Sequence, residues 1–447
     1  MNTAPDDATA LATRGFVYGF PLVFNLEQVA RYVTTGVGAN PAAPFNSFSH
    51  ARSLAGPADR FVTINNDTVY SMAQLDLSAG PLLLEVPAVG ERYYVLQFVD
   101  AWTNNFAYIG TRATGSDAGR FLLVPPGWSG EPPAGTTVVR VPTVIASIVG
   151  RWAVTGDTDL PAVHALQDAT TLTPMGSGTP QGLPSGATDG LSPALAFWEA
   201  YRVASQAFPP PARDVPLQES LAGLGLTGDV PVGDLDPEQR DALTAGHDAG
   251  RALLDQATRG GHTEVRDGWH LAYHVFDYNL DHFEVGALDD PEWQIADPQE
   301  RLVIRAAAAL GGLWGNHGYE AAYSPVYVDA DGEQLTGERS YSLRLETPPP
   351  NDAFWSLTMY DVPDYFLVDN PAGRYSIGDR TPGLVHGDDG SLTLHVSAEE
   401  PTDPVRRANW LPAPAGPFRP ILRVYAPRRE FLDGSYRMPP FRVVDAS

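Results

Sequence analysis

The chain has 447 residues, 43% of them hydrophobic, and 54 acidic residues against 29 basic ones, every one of the latter arginine, for a net charge of −25. With neither cysteine nor lysine it has no thiolate, disulfide, iron–sulfur ligand, Schiff-base amine or P-loop lysine, which leaves carboxylate, histidine, tyrosine, hydroxyl, amide and guanidinium chemistry. So acidic a chain repels phosphate backbones and anionic lipid, so nucleic acid and membrane surfaces are excluded as partners and a small molecule is expected instead.

The N-terminus lacks a basic region followed by an apolar run, and no stretch of about 18 apolar residues occurs; a cytoplasmic protein that spans no membrane is expected. Residues 8–35 read as helix, with Leu11, Phe16, Phe20, Phe24 and Val29 near helical spacing and an interruption at Pro21. From 60 to 155 the pattern turns to strands, including 82–86, 93–99 and 121–124. The Gly/Pro/Ser/Thr-rich stretch 174–190 is a loop. Helices follow from Ser192-Pro193 to about 207, and over roughly 215–223, 236–258 and 298–314. The last 120 or so residues return to strands at 341–346, 354–360, 391–396 and 421–425, separated by Pro and Gly turns as in a sandwich or jelly roll. The expected fold is α+β and β-rich. It comprises a β-barrel- or sandwich-like domain with a leading helix (1–173), a mainly helical connecting segment (174–315) and a jelly-roll-like β-sandwich (316–447).

Gly223-Leu224-Gly225-Leu226-Thr227-Gly228 matches GxGxxG but follows a helical stretch and leads to Pro231, so it reads as a helix end and turn. His386-Gly387-Asp388 sits in a hairpin tip. His270, His274, Asp277 and Asp281 fall at i, i+4, i+7 and i+11, one face if the segment is helical; His270, His274 and Asp277 are the speculative ligands of a divalent metal. As a strand, the same segment makes them ordinary polar or core residues. Asn65-Asn66-Asp67-Thr68-Val69-Tyr70 is the densest polar cluster before a strand, and Asp100-Ala101-Trp102-Thr103-Asn104 follows some thirty residues on. Such residues cap turns, or they orient a substrate beside a carboxylate base. Asp379-Arg380 lies in a second polar cluster, either a loop-pinning lattice or a clamp on an acidic group.

Taken together, these strings resemble a two-part bacterial family whose halves are catalogued as domains of unknown function 1254 and 1214. The N-terminal likeness rests on Gly19-Phe20-Pro21-Leu22, Asn65–Ser71, Asp100–Asn104, Pro142-Thr143 and Gly150-Arg151. The C-terminal likeness rests on Phe354–Tyr360, Leu367–Asn370, Arg374–Arg380, Asp389–Leu392 and Asn409–Pro414. The resemblance implies β-rich halves with helices between them, the second half like a jelly roll. It implies no activity.

The functional expectation is an enzyme acting on a small, partly apolar organic molecule by acid/base chemistry of hydrolase or lyase type, without an organic cofactor. Asp67 or Asp100 is the base, and Tyr70, Asn66 and Asn104 donate hydrogen bonds; these side chains should converge on one cavity. Asn65, Trp102, Arg380 and Asp379 are expected to contact substrate. The alternatives are a non-catalytic sugar- or lipid-binding β protein and a metal-dependent oxidoreductase using the His270/His274 stretch. A homo-oligomer is compatible with each.

Overall fold

The computed structural model describes residues 5–60, 63–260 and 263–445. Its first helix, α1 (Pro5–Thr34), runs through Pro21 without the expected interruption. Proline removes one N–H from the helical ladder. Here Phe16, Phe20, Leu22 and Val23 are buried around it. Gly19 lies so close to Tyr201 that a Cβ would sit 2.5 Å from its ring. Packing along the helix outweighs the lost bond.

The N-terminal half contains β1 (Phe48–His50), β2 (Thr68–Asp76), β3 (Leu82–Val86), β4 (Tyr94–Asp100), β5 (Asn105–Gly110), β6 (Gly119–Val124), β7 (Thr137–Arg140), β8 (Ile145–Ala153) and β9 (Thr171–Pro174), with α2 (Leu160–Ala169) before the last. They form a five-stranded sheet ordered β1-β2-β8-β4-β5 and a four-stranded sheet ordered β7-β6-β3-β9, stacked as a sandwich. Period-two alternation divides the larger sheet. Val69, Ala73, Leu96, Phe98, Ile148 and Trp152 fill the space between the sheets. Tyr70, Met72 and Val149 face the other way.

That second face meets a helical layer in which α1 lies against β2 and packs in turn on α3 (Pro193–Ala207), α5 (Pro237–Gly260) and α6 (Pro298–Gly312), with the short α4 (Val215–Ser220) between α3 and α5 in the chain. Ser192 caps α3 by accepting the Leu195 N–H at 3.3 Å. Asp297 caps α6 through the Gln299 and Glu300 N–H groups. The GxGxxG stretch begins at the end of a short 3₁₀ turn, Leu221–Leu224, which left-handed Gly225 closes.

The C-terminal half follows a small hairpin of β10 (Glu264–Arg266) and β11 (Trp269–Leu271). Its strands are β12 (Ala321–Pro325), β13 (Ser340–Leu345), β14 (Asn351–Thr358), β15 (Ser376–Gly378), β16 (Leu392–Ser397), β17 (Trp410–Pro412), β18 (Ile421–Pro427) and β19 (Arg442–Val444). Two four-stranded sheets, β12-β18-β14-β15 and β17-β16-β13-β19, enclose Leu343, Trp355, Leu357, Leu394, Leu422 and Val424. The fold is α+β and β-rich, with helices between the halves. The strands of each half pair into two separate sheets, so neither half closes as a barrel among the described residues.

The halves meet along a buried seam. Tyr93, Val95, Tyr108 and Ala153 pack on Tyr319, Ala321, Phe354 and Tyr425. Buried Glu320 accepts the Tyr93 hydroxyl at 2.8 Å and pairs with Arg112. His317, 3% exposed, has Nδ1 2.9 Å from the Tyr108 hydroxyl and 3.0 Å from that of Tyr319. Burial lowers its pKa to about 3. A histidine held neutral in the fold stabilises it above its unfolded value of about 6.5, and that contribution drains away as pH falls toward the folded value. We predict that urea unfolding at pH 7.5 and 4.5 will show His317→Gln less stable at the higher pH. The variant should also lose less stability than the wild type on acidification, the difference approaching ~1.4 kcal/mol per pH unit. Equal losses would remove His317 as the acid-sensitive element of the seam.

Candidate functional site

A chamber of about 960 Å³ opens between the two halves and the helical layer. One wall is the helix-side face of the N-terminal sheet: Thr68, Tyr70 and Met72 from β2, and Val149 and Arg151 from β8. The facing wall is Tyr323 and Pro325 from β12, and Ile421, Arg423 and Tyr425 from β18. In each wall a tyrosine stands beside an arginine on the neighbouring strand, Tyr70 by Arg151 and Tyr323 by Arg423. Ile304, Ala307 and Ala308 of α6, with Phe276 and Leu313, supply an apolar side.

The polar end is built from buried groups. Arg151 donates from Nη1 to Gln97 Oε1 (2.8 Å) and Asn316 Oδ1 (3.3 Å), and from Nη2 to the Trp314 carbonyl (2.7 Å). Its guanidinium lies 5.5 Å from the Tyr70 ring centre. Trp314 holds a φ of 63°, a conformation that costs a bulky residue energy, and its carbonyl is the one turned onto Arg151. Arg423 donates to Thr358 Oγ1 (3.0 Å) and the Thr63 carbonyl (2.8 Å). Arg419 donates to the Tyr327 hydroxyl (3.0 Å) and Thr63 Oγ1 (2.9 Å), its guanidinium 3.7 Å from the Tyr365 ring centre. Asn65 Nδ2 donates to the Tyr70 hydroxyl at 2.6 Å. Burial raises the Tyr32 and Tyr425 hydroxyls far above the ordinary phenol value, so both stay neutral donors.

Nearer the mouth, His274 is half exposed and Asp277 is buried behind it, with His274 Nδ1 2.7 Å from Asp277 Oδ2. The imidazole leans on Trp293, ring centres 4.9 Å apart. Asp277 Oδ1 has no hydrogen-bond partner among the described residues. Burial pushes the Asp277 carboxyl up to about 6, and the hydrogen bond that His274 makes to that carboxylate raises the imidazole above its ordinary value. An imidazole oriented through Nδ1 by a buried carboxylate presents Nε2 for proton transfer.

The expected convergence of Asp67 with Asp100 does not occur. Strands β2 and β4 both pair antiparallel with β8 and so run parallel to each other, with Thr68 opposite Ala153 and Asp100 opposite Ala146. Those partners are roughly 20 Å apart at ~3.3 Å per residue. Asp100 closes a turn on itself, accepting the Asn104 N–H and side-chain amide, each at 2.8 Å. Arg305 reaches the Trp102 carbonyl and Asn104, and Trp102 donates to the Phe208 carbonyl inside the helical core. Asp100, Trp102 and Asn104 therefore join sheet to helices and line no part of the chamber.

In the first cluster, Asn65 and Tyr70 line the chamber while Asn66 and Asp67 stand behind its wall. Asn65 Oδ1 caps the Asp67 and Thr68 N–H groups. Asn66 donates to the Ala55 carbonyl. Asp67 crosses the seam to accept from Ser356 Oγ (2.7 Å) and the Tyr425 hydroxyl (3.1 Å). Arg380 donates to the Asp67 carbonyl and lies over Phe354, and Asp379 accepts the Trp355 N–H, so this pair pins loops rather than facing the chamber. His270 and His274 both line the chamber, but the segment is a strand followed by turns, not a helix. His270 contacts Thr263 and Tyr327. Among the described residues no three His, Asp or Glu side chains gather to hold a metal.

Sequence reading missed Arg419, Arg423, Tyr323 and Tyr425, and met Arg151 only inside a family string. The available signal was the alternation Arg419-x-Ile421-x-Arg423-x-Tyr425 on an otherwise apolar strand.

Residues 45–174 match the family described as protein of unknown function (DUF1254), and residues 320–429 the one described as protein of unknown function (DUF1214). Among solved structures, the VPA0106 protein from Vibrio parahaemolyticus is similar over 98% of this chain and 100% of its own, with 23% identity and a TM-score of 0.74, a likeness of fold. A putative uncharacterized protein from Burkholderia cenocepacia covers 99% of this chain and 94% of its own at 13% identity and a TM-score of 0.46. No curated protein matches the sequence.

The placement of Asp67 carries a prediction. Asp67→Ala leaves Ser356 and Tyr425 without their acceptor inside the seam, at a cost of roughly 2–4 kcal/mol. Chemical denaturation should register that loss. A change below ~0.5 kcal/mol would mean that Asp67 does not hold the halves together.

Proposed function

Because the chain belongs to the two-part family that joins DUF1254 to DUF1214, whose name carries no activity, we propose from the chamber itself that the protein is an enzyme acting on a small, partly apolar organic molecule by acid/base chemistry of hydrolase or lyase type. The observation that carries this reading is the His274–Asp277 pair at an apolar chamber of about 960 Å³. The volume suits one small organic molecule. Met72, Val149, Phe276 and Ile304 take its apolar part. His274 moves the proton and Asp277 positions the imidazole, the work first looked for at Asp67 or Asp100. The phenol hydroxyls of Tyr70 and Tyr323, which line the same chamber, are the donors assigned to developing negative charge.

The test uses the purified chain and a mixture of small esters, lactones and hydroxy acids, followed by mass spectrometry. Wild type should deplete at least one compound. His274→Gln should slow that depletion by roughly 10²–10⁴ with an unchanged melting temperature. An imidazole base works when neutral, and Asp277 holds it protonated to higher pH. The rising limb of the pH–rate profile should therefore lie above ~6.5 and move down in Asp277→Asn. A ligand bound equally by both proteins with no depletion by either would replace the enzyme with a binding protein.

A further inference from the structure

The inner end of the chamber is positive in a protein whose net charge is −25. Arg151, Arg419 and Arg423 line it at 6%, 8% and 3% exposure. Among the described residues none of the three has a carboxylate oxygen within ion-pair distance; their partners are amides, carbonyls, hydroxyls and rings. Three of the five N–H groups of Arg151 are used this way, and two of those of Arg423. The charge of Asp67 acts on Arg423 from within the seam, but its Oδ2 is taken by Ser356 and Tyr425. The acids of the lining, Glu264, Asp297, Glu300 and Asp433, are all exposed. Buried guanidinium groups are ordinarily matched by an acid. Here the match is missing where the wall faces empty space.

We propose that the ligand of the chamber is an organic carboxylate, its anionic group seated between Arg151 and Arg423 and its apolar body against Met72, Val149, Phe276 and Ile304. The two planar guanidinium groups come from opposing walls, with the hydroxyls of Tyr70 and Tyr323 beside them on the paired strands. Planar forks of this kind suit a planar carboxylate, and each charge-assisted bond is stronger than a neutral one. This assignment rests on the chamber being the functional site and names the class of molecule it takes.

The test measures binding by calorimetry in the His274→Gln protein, so that binding is read whether or not turnover exists. The probes are decanoate and 4-phenylbutyrate, their neutral amides, and decyl phosphate. We expect at least one carboxylate to bind about 10–100-fold more tightly than its amide, and decanoate more tightly than decyl phosphate. Adding Arg151→Gln should bring the carboxylate down to the level of the amide while amide binding stays, which also shows that the variant is folded. Amides binding as tightly as acids, neither acid binding at millimolar concentration, or decyl phosphate binding best would each overturn the proposal. Carboxylate binding with no turnover by wild type would sink the acid/base reading alone. Turnover of neutral compounds without preference for acids would sink the carboxylate alone.

Discussion

Arg151 sits in the middle strand of a sheet whose neighbouring positions are apolar or neutral, with almost no access to solvent. A guanidinium there must be solvated by the protein, because the desolvation of an ion otherwise costs several kcal/mol. Gln97 from β4, Asn316 and the Trp314 carbonyl supply that solvation. To do so the chain after α6 has to turn back over the sheet. Trp314 takes a left-handed φ, and Gly315 fits where a Cβ would lie 2.0 Å from the Phe276 ring. Gln97 and Asn105 then bond the Gly315 carbonyl. One buried charge thus fixes the turn that joins the helical layer to the C-terminal half.

The same alternation rule explains why the chamber exists. A strand has two faces, and in each half one face is consumed by the partner sheet of its own sandwich. The remaining faces of β2–β8 and β12–β18 are too polar to pack dry against each other along their whole length. Where residues are apolar or aromatic, as at Tyr93, Val95, Phe354 and Tyr425, the halves close into a seam. Where Tyr70, Arg151, Tyr323 and Arg423 meet, they stay apart and α6 bridges the gap. The chamber needs all three parts of the chain.

Much of this was legible in the sequence, and the reasons are local. Helix α3 was readable because Ser192-Pro193 is a capped start whose hydrogen bond falls within three residues. Strands 82–86 and 421–425 were readable from mostly apolar runs, each carrying a single charged residue, Glu85 and Arg423. Pro21 misled because a helix buried along its length tolerates a lost bond that an isolated one does not. Asn65 and Tyr70 were found because a turn and the strand it feeds lie together in sequence. Asp100 was wrongly paired with Asp67 because strand order decides which ends meet, and β8, which separates β2 from β4, comes some forty-five residues after Asp100. His274 and Asp277 were noticed for a helical spacing they do not have; three residues apart on a turn, they meet anyway.

The arginines were the hardest to see for a physical reason. In a chain with 54 acidic residues, any arginine has an acid for a default partner, and most exposed ones here do pair. What separates Arg151, Arg419 and Arg423 is the absence of such a partner, which is a property of the folded neighbourhood and leaves no mark on a linear string. The alternation that brings Arg419, Ile421, Arg423 and Tyr425 to one side of the chain as it enters β18 is a weaker trace, since alternation also describes a surface strand with one polar face. Burial tells the two cases apart: a surface strand leaves its arginines to water, whereas these three are buried in the walls of a chamber and, among the described residues, face no carboxylate within ion-pair distance.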